Sequence, residues 1–304
     1  MLAGIPLFKS DDERIAKYYS NRRTGEDDDV IDMPSGRPAD MVKSVLIFIA
    51  GVLIIIVIWH IFAWYYNEFT DKLMKFPYPL ETFQTLYAYL FENKQMFMKS
   101  IYDHLAASLR RWFIAFIIST VLGVILGTIL GLWKKIYPIA ISPINIIQMI
   151  PGMAWLPVAM LMFGLSEKSA MLIIFIISFV IITLNVAGGI RRIPEVYLRA
   201  GEMMGANKAV MSLKIILPFA ALDIVNGLRL GMGSAWRVLI SAEMVIATGI
   251  GIGYAISALR AVLDYVGSFA CIAVICFVGL VINKLVFVNI EKYVRHKLGM
   301  DEDV

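Results

Sequence analysis

Residues 199–218 read RAGEMMGANKAVMSLKIILP, a charged, glycine-punctuated run closed by Leu217-Pro218 in a chain that is otherwise mostly apolar. Its polar residues are ordered. Counting from just upstream, Glu195, Arg199 and Glu202 fall at i, i+4 and i+7 on one helix face, while Val196, Ala200, Met203 and Met204 share another. This spacing predicts a short amphipathic helix. Gly205 ends it by reaching a turn conformation closed to most residues, residues 206–216 resume a short helix, and Leu217-Pro218 fixes the start of the next apolar run. Such an element, rigid and set between two apolar runs, suits either a docking contact or a resting place on a membrane surface.

Outward from this stretch the chain is greasy. Of 304 residues 59% are apolar and 17% charged, with a mean hydropathy of +0.74, a balance foreign to a water-soluble domain. A helical span takes roughly 20 apolar residues, and six runs meet or approach that length, near 44–66, 112–132, 138–164, 170–190, 222–247 and 266–290. The fold class is therefore an all-α integral membrane protein with six transmembrane helices. A charged tail over 1–43 precedes the first run, which fits a retained N-terminal anchor and not a cleaved signal peptide. Residues 67–111 read as an outer segment whose stretch from 76, opened by Pro77 and Pro79, lies along the interface as a helix. A core over 112–298 carries the amphipathic helix at about 194–214, and 299–304 form a short C-terminal tail. The short loops holding Lys134, Lys135, Arg191, Arg192, Arg199, Lys208 and Lys214 set one side as cytoplasmic, which leaves both termini cytoplasmic; Arg110-Arg111 on the outer side run against this pattern. The net charge of +4 is spread along the chain and offers no nucleic-acid surface.

Glycines and prolines punctuate the runs. Gly123, Gly127 and Gly131 recur every fourth residue, as do Gly227, Gly231 and Ala235, so each stripe lets another helix approach closely, whether packed or moving. In the third run Pro151, Gly152 and Pro157 predict a kink or break, of the kind that lines a pathway or serves packing.

Enzymatic chemistry finds little support in the residues. His60, His104 and His296 are scattered, no metal-ligand or phosphate-loop motif occurs, and GIGIG at 249–253 reads as a flexible turn. Cys271 and Cys276, five apart on one run, point to different faces and act as small apolar residues. The sharper signal is charge within a span: Asp223 and Arg229 lie toward one end of the fifth run and reach the interface, while Arg237 and Glu243 lie deeper. At 100° per residue these two are about 120° apart and do not pair along the helix. Glu243 shares a face with Trp236, and Arg237 with Ser234 and Ser241. A pathway role and a hydrogen-bonded anchor are both open for each.

The opening stretch resembles the coupling-helix signature of binding-protein-dependent ABC importer permeases: E-A-A, three residues, G, nine residues, I-x-L-P. Ala200, Gly205, Ile215, Leu217 and Pro218 match it, while Arg199 stands at the glutamate and Gly201 at the second alanine. Further phrases carry the likeness from about 77 to 298: SLRRWF (108–113), IPGMAWLPVAMLMFGLSEKSAMLIIF (150–175), GGIRRIPEVYLRAGEMMGA (188–206), ILPFAALDIVNGLRLGMGSAWRVLISAEM (216–244) and GIGYAI (251–256). The branch most similar is that of nitrate, sulfonate, taurine and bicarbonate permeases. The resemblance implies a type I importer (MetI-like) core of five spans after one additional N-terminal span, in a cell membrane. It further implies a second, identical permease subunit, a cytoplasmic ABC ATPase dimer that binds ATP and Mg, and an external substrate-binding protein, with no cofactor or metal in this chain. ATPase docking then falls to Glu195, Arg199, Ala200, Gly201, Glu202, Gly205, Ile215, Leu217 and Pro218, and the substrate pathway to Pro151, Trp155, Trp236, Arg237, Ser241 and Glu243. The implied solute is a small anion or zwitterion, with a vitamin precursor or other small nutrient as the alternative within the branch. An intramembrane enzyme and a membrane scaffold are the readings from other classes.

Overall fold

The structure, a computed structural model, describes residues 38–70, 74–92, 94–97, 99–246 and 248–297. The polar tail before Pro38 and the segment after Lys297 lie outside the described residues. Two units divide the chain, residues 1–55 with 303–304, and residues 56–302. Helix α1 (Pro38–Phe69) begins in the first, where the apolar side chains from Val45 to Ile55 are exposed as a lipid-facing helix requires. The second unit holds all the other described elements.

Within that second unit, Trp59 donates its indole N–H to the Pro77 carbonyl at 2.9 Å, and Asn67 pairs with both backbone groups of Phe76. These bonds tie α1 to the start of α2 (Pro79–Phe91), the short amphipathic helix expected at the interface. Helix α3 (Ile101–Leu132) starts at Ile101 and not near 112. Ser100 and Asp103 explain the earlier start: the serine hydroxyl accepts from the Asp103 amide while the aspartate accepts from the Ser100 amide, a reciprocal cap that nucleates the helix ahead of its apolar portion. The third apolar run is broken. Helix α4 (Tyr137–Met149) and the segment Gly152–Phe163, a tight turn leading into α5 (Leu156–Phe163), are bent by 98° at Ile150-Pro151.

Helix α6 (Glu167–Arg191) occupies the centre. Both small-residue stripes close on it: a side chain at Gly127 would strike Val186 and the Thr183 carbonyl, one at Gly131 would strike Ile190, and one at Gly227 would strike Asn185. The stripes are thus packed interfaces, with α3 and α10 pressed on adjacent faces of α6 that share Ile182. After α6 come α7 (Glu195–Met203), α8 (Lys208–Met211), a π-type turn over Ser212–Ile216 and α9 (Leu217–Phe219), bent by 62° into α10 (Ala221–Ile246). Helix α11 (Ile252–Ala261) is short and mostly buried, and α12 (Tyr265–Val281) runs through a second π-type turn into α13 (Val288–Lys297). Among the described residues four helices are long and apolar enough to cross a membrane, or up to six if each bent pair is one span. Among the described residues there is no strand beyond the isolated Met96–Lys99 bridge. Cys271 is buried and Cys276 exposed, on different faces as expected.

Candidate functional site

Helix α7 ends as its sequence predicts. Gly205 has φ +75°, its amide donates to the Glu202 carbonyl at 3.0 Å, and the Ala206 amide reaches back to the Gly201 carbonyl at 3.0 Å. This paired closure satisfies carbonyls that a helix end would leave open. Asn207 then restarts the chain by accepting from the Val210 amide at 2.9 Å. Gly201 is buried because Ile215 and Met211 pack over its Cα: an added Cβ would sit 2.6 Å from Ile215 Cδ1 and 2.9 Å from Met211 Cε. Tyr197 meets Phe219 with ring centroids 5.4 Å apart, so α7 is braced against the segment that leads into α10. Leu217 and Pro218 are half-buried at that corner, and Ala200 is exposed.

On the charged face Lys134 donates to Glu195 at 2.7 Å and Arg199 to the same carboxylate at 3.1 Å. The Lys134 ammonium, and then Arg199, hold the Glu195 carboxyl below the usual glutamate range. Glu202 carries no ion pair among the described residues. Nothing among the described residues covers the apolar face: Met203 and Met204 are each 85% exposed, and Val196 is exposed as well. Flexible thioethers at the tip of a rigid turn suit an adaptable apolar contact.

At the other end of the spans lies a buried cluster that sequence reasoning missed in part. Glu243 is fully buried and Arg111 is 1% exposed. Arg111 Nη1 donates to Glu243 at 2.7 Å and to the Ile250 carbonyl at 2.8 Å, while Nη2 donates to Glu167 at 2.7 Å, which also accepts from Arg110. Ser108 Oγ lies 2.9 and 2.8 Å from the two Glu243 oxygens and accepts from the Ile252 amide; the Gly253 amide donates to Glu243 at 3.0 Å. His104 accepts from the Gly251 amide at 3.0 Å. The glycine turn at 249–253 is therefore pinned by the four side chains of His104, Ser108, Arg111 and Glu243 and is not the flexible turn expected. Gly251, at φ +139°, lies so close to the Glu243 carboxylate that any side chain there would collide with it. His104, Ser108 and Arg111 fall at i, i+4 and i+7 on α3, and that polar stripe was the available signal.

A family model described as the binding-protein-dependent transport system inner membrane component matches residues 113–296, more than half of the chain. The chain belongs to this family. As a permease it is a transport subunit and not an enzyme. It is 29% identical over 216 residues to the bicarbonate transport system permease protein CmpB of Synechococcus elongatus, covering 69% of this chain and 76% of that one. It is 29% identical over 184 residues to the taurine transport system permease protein TauC of Escherichia coli, covering 60% and 66%. A solved structure of the MetNI methionine ABC transporter in inward-facing conformations superposes with a TM-score of 0.54 at 18% identity over 62% of this chain and 93% of that one, which shows the shared fold.

The permease's other candidate residues divide. Trp236 is buried against Trp112 and donates to the Ile275 carbonyl at 3.3 Å, on the same side as the enclosed Glu243. Pro151 is exposed at the break, and Trp155 packs on the Leu156, Ile173 and Ala242 cluster with its indole N–H enclosed and unpartnered among the described residues. Arg237 is exposed and donates to Ser234 at 3.2 Å, while Ser241 donates to the Arg237 carbonyl at 3.1 Å. Asp223 and Arg229 are held at the far end of α10, by Arg192 at 2.7 Å and by Asn283 at 3.0 Å.

Proposed function

We propose that this permease couples ATP hydrolysis in a cytoplasmic ABC ATPase dimer to the inward passage of a small anion or zwitterion delivered by an external binding protein. The observation that carries the reading is the α7 turn: a helix closed at Gly205 that presents Met203 and Met204 outward, braced onto the segment leading into α10 through Ile215 and Phe219. A motor that closes on this turn delivers its displacement to α10 directly, and coupling requires such differential contacts between states. Docking is assigned to the apolar tip and to Glu202, whose carboxylate is open, while Glu195 holds α7 to Lys134 at the base of α3. ATP and Mg belong to the ATPase, and a second copy of this chain completes the path across the cell membrane, with both termini cytoplasmic. Glu243 and Trp236 act as the anchor that fixes α10 to α3, and the exposed side of α10 with Arg237 and Ser241 faces the path, flanked by Pro151 and Trp155. The relatives that carry bicarbonate and taurine in their names support a small-anion or zwitterion solute.

The test is extraction from native membranes in mild detergent, affinity capture and mass spectrometry of everything retained. An ATPase subunit with a phosphate loop is the expected companion. Capture of this chain alone in several detergents would return weight to a scaffold.

A further inference from the structure

Helix α10 carries four charges, and three are matched: Asp223 by Arg192, Arg229 by Glu291, and Glu243 by Arg111. Arg237 is the one charged side chain of α10 without an oppositely charged partner among the described residues. At 1.5 Å per residue it lies roughly 14 Å from the helix end at Ile246 and roughly 24 Å from Ala221, which sets it deep in the span. A guanidinium at that depth faces protein or a water-filled cavity, not acyl chains. Gly233, one turn before it, has nothing among the described residues within 4 Å of where a side chain would stand, so space is open beside the guanidinium. Ser234 accepts from Arg237, which leaves the serine's own proton free to donate. On the neighbouring side Val238 is held by Gly152, whose Cα lies so near that an added Cβ would stand 2.8 Å from Val238 Cγ2, and so the broken third span borders the same place.

We infer that Arg237 and the Ser234 hydroxyl form an anion-contact point on the translocation path, supplying the positive charge that selects an oxoanion or a carboxylate- or sulfonate-bearing solute. The inference rests on the permease reading above and specifies its charge selectivity. The guanidinium offers further N–H donors beyond the one spent on Ser234, and its planar fork matches the oxygens of such anions. A second copy of the chain facing the first across the path doubles the charge, so the solute passes between two guanidinium groups. Passage requires that the contact stay weak, and a single serine-supported arginine per subunit meets that condition better than a closed cage would.

Two measurements on the intact complex test this. In cells lacking the native gene, uptake of labelled taurine, bicarbonate and nitrate is compared for the wild-type chain, Arg237→Gln and Arg237→Lys, with chain abundance and captured ATPase measured alongside. Arg237→Gln is expected to lower uptake of the transported anion at least about tenfold at unchanged abundance and ATPase capture, with Arg237→Lys retaining a larger share, because only the charge is conserved. Wild-type uptake by Arg237→Gln would overturn the inference and leave ATPase docking untouched. Absence of uptake of all three solutes by the wild-type chain, with the ATPase still captured, would remove the anion-or-zwitterion reading and this inference with it. The second measurement labels Arg237→Cys in membranes with a water-soluble, membrane-impermeant methanethiosulfonate, using the wild-type chain with Cys271 and Cys276 as the blank. Labelling above the blank supports a watery path at position 237; labelling no greater than the blank places it against lipid and overturns the inference.

Discussion

Arg111 has two carboxylates and Glu243 has one cation, and the cost of breaking their contact should differ according to which partner is removed. Arg111→Met leaves a fully buried carboxylate with Ser108 and the Gly253 amide but no counter-charge. Stranding a buried charge in this way costs about 3–5 kcal/mol. Glu243→Gln is milder. Arg111 keeps Glu167 and the Ile250 carbonyl, so the loss is one charge-assisted hydrogen bond, about 1.5–3 kcal/mol, with Ser108 able to accept from the new amide. In the double variant the glutamine no longer faces a guanidinium, and the combined cost should fall short of the sum by about 1–2 kcal/mol. The assay is detergent-titrated unfolding in mixed micelles followed by tryptophan fluorescence, since Trp112 on α3 and Trp236 on α10 lie edge to face at 5.9 Å and separate when these helices part. A larger loss for Glu243→Gln than for Arg111→Met, or strict additivity within about 0.5 kcal/mol, would refute the reasoning.

Gly205→Asn should leave ATPase capture near normal and Gly205→Val should reduce it severely, because φ +75° is open to asparagine but strained for a β-branched residue and no neighbour crowds the site; equal capture by both variants would contradict the turn. Gly127→Ala should destabilise the protein by about 1–3 kcal/mol, since its methyl would meet Val186 and the Thr183 carbonyl, whereas Gly201→Ala should be mild because only the tips of Ile215 and Met211 must move; comparable losses in the same unfolding assay would argue against that packing. The Glu195 carboxyl is lowered in the fold, so the contribution of its contacts with Lys134 and Arg199 is complete above the unfolded glutamate value of about 4.3 and disappears only as pH falls through the lower folded value. ATPase capture should hold steady from neutral pH down to that range, and Glu195→Gln should show no pH dependence of its own there; a decline near pH 6 that Glu195→Gln abolishes would contradict the assignment.

The sequence disclosed most of the fold because the bilayer demands long apolar runs, and those runs are visible without tertiary knowledge. Pro151 foretold the break in the third span, and Gly205 foretold the closure of α7. What escaped was the first part of α3. His104, Ser108 and Arg111 lower its hydropathy and make it resemble an interfacial segment, yet all three point inward to a turn more than a hundred residues away in sequence. Arg111 also explains the exception to the charge rule in the segment expected outside, for it is consumed by two carboxylates, and Arg110 shares one of them. Gly201, a departure from the alanine of the coupling signature, proves to be the place where Ile215 and Met211 need room. Local spacing shows a face, but it does not show which distant residue will cover it.

The buried ion network has a consequence for synthesis. Arg111 enters the membrane with its helix 132 residues before Glu243 and 56 residues before Glu167. Translation at about 5–20 residues per second puts Glu167 roughly 3–11 s behind Arg111 and Glu243 roughly 7–26 s behind. Glu167, half-exposed in the finished protein, is thus the earlier made of the two carboxylates that Arg111 pairs with, and the arrival of α10 adds Glu243 on the other guanidinium nitrogen while Glu167 keeps its own. Helix α3 need not wait for the end of the chain to be integrated, but it is not locked until α10 has followed it in.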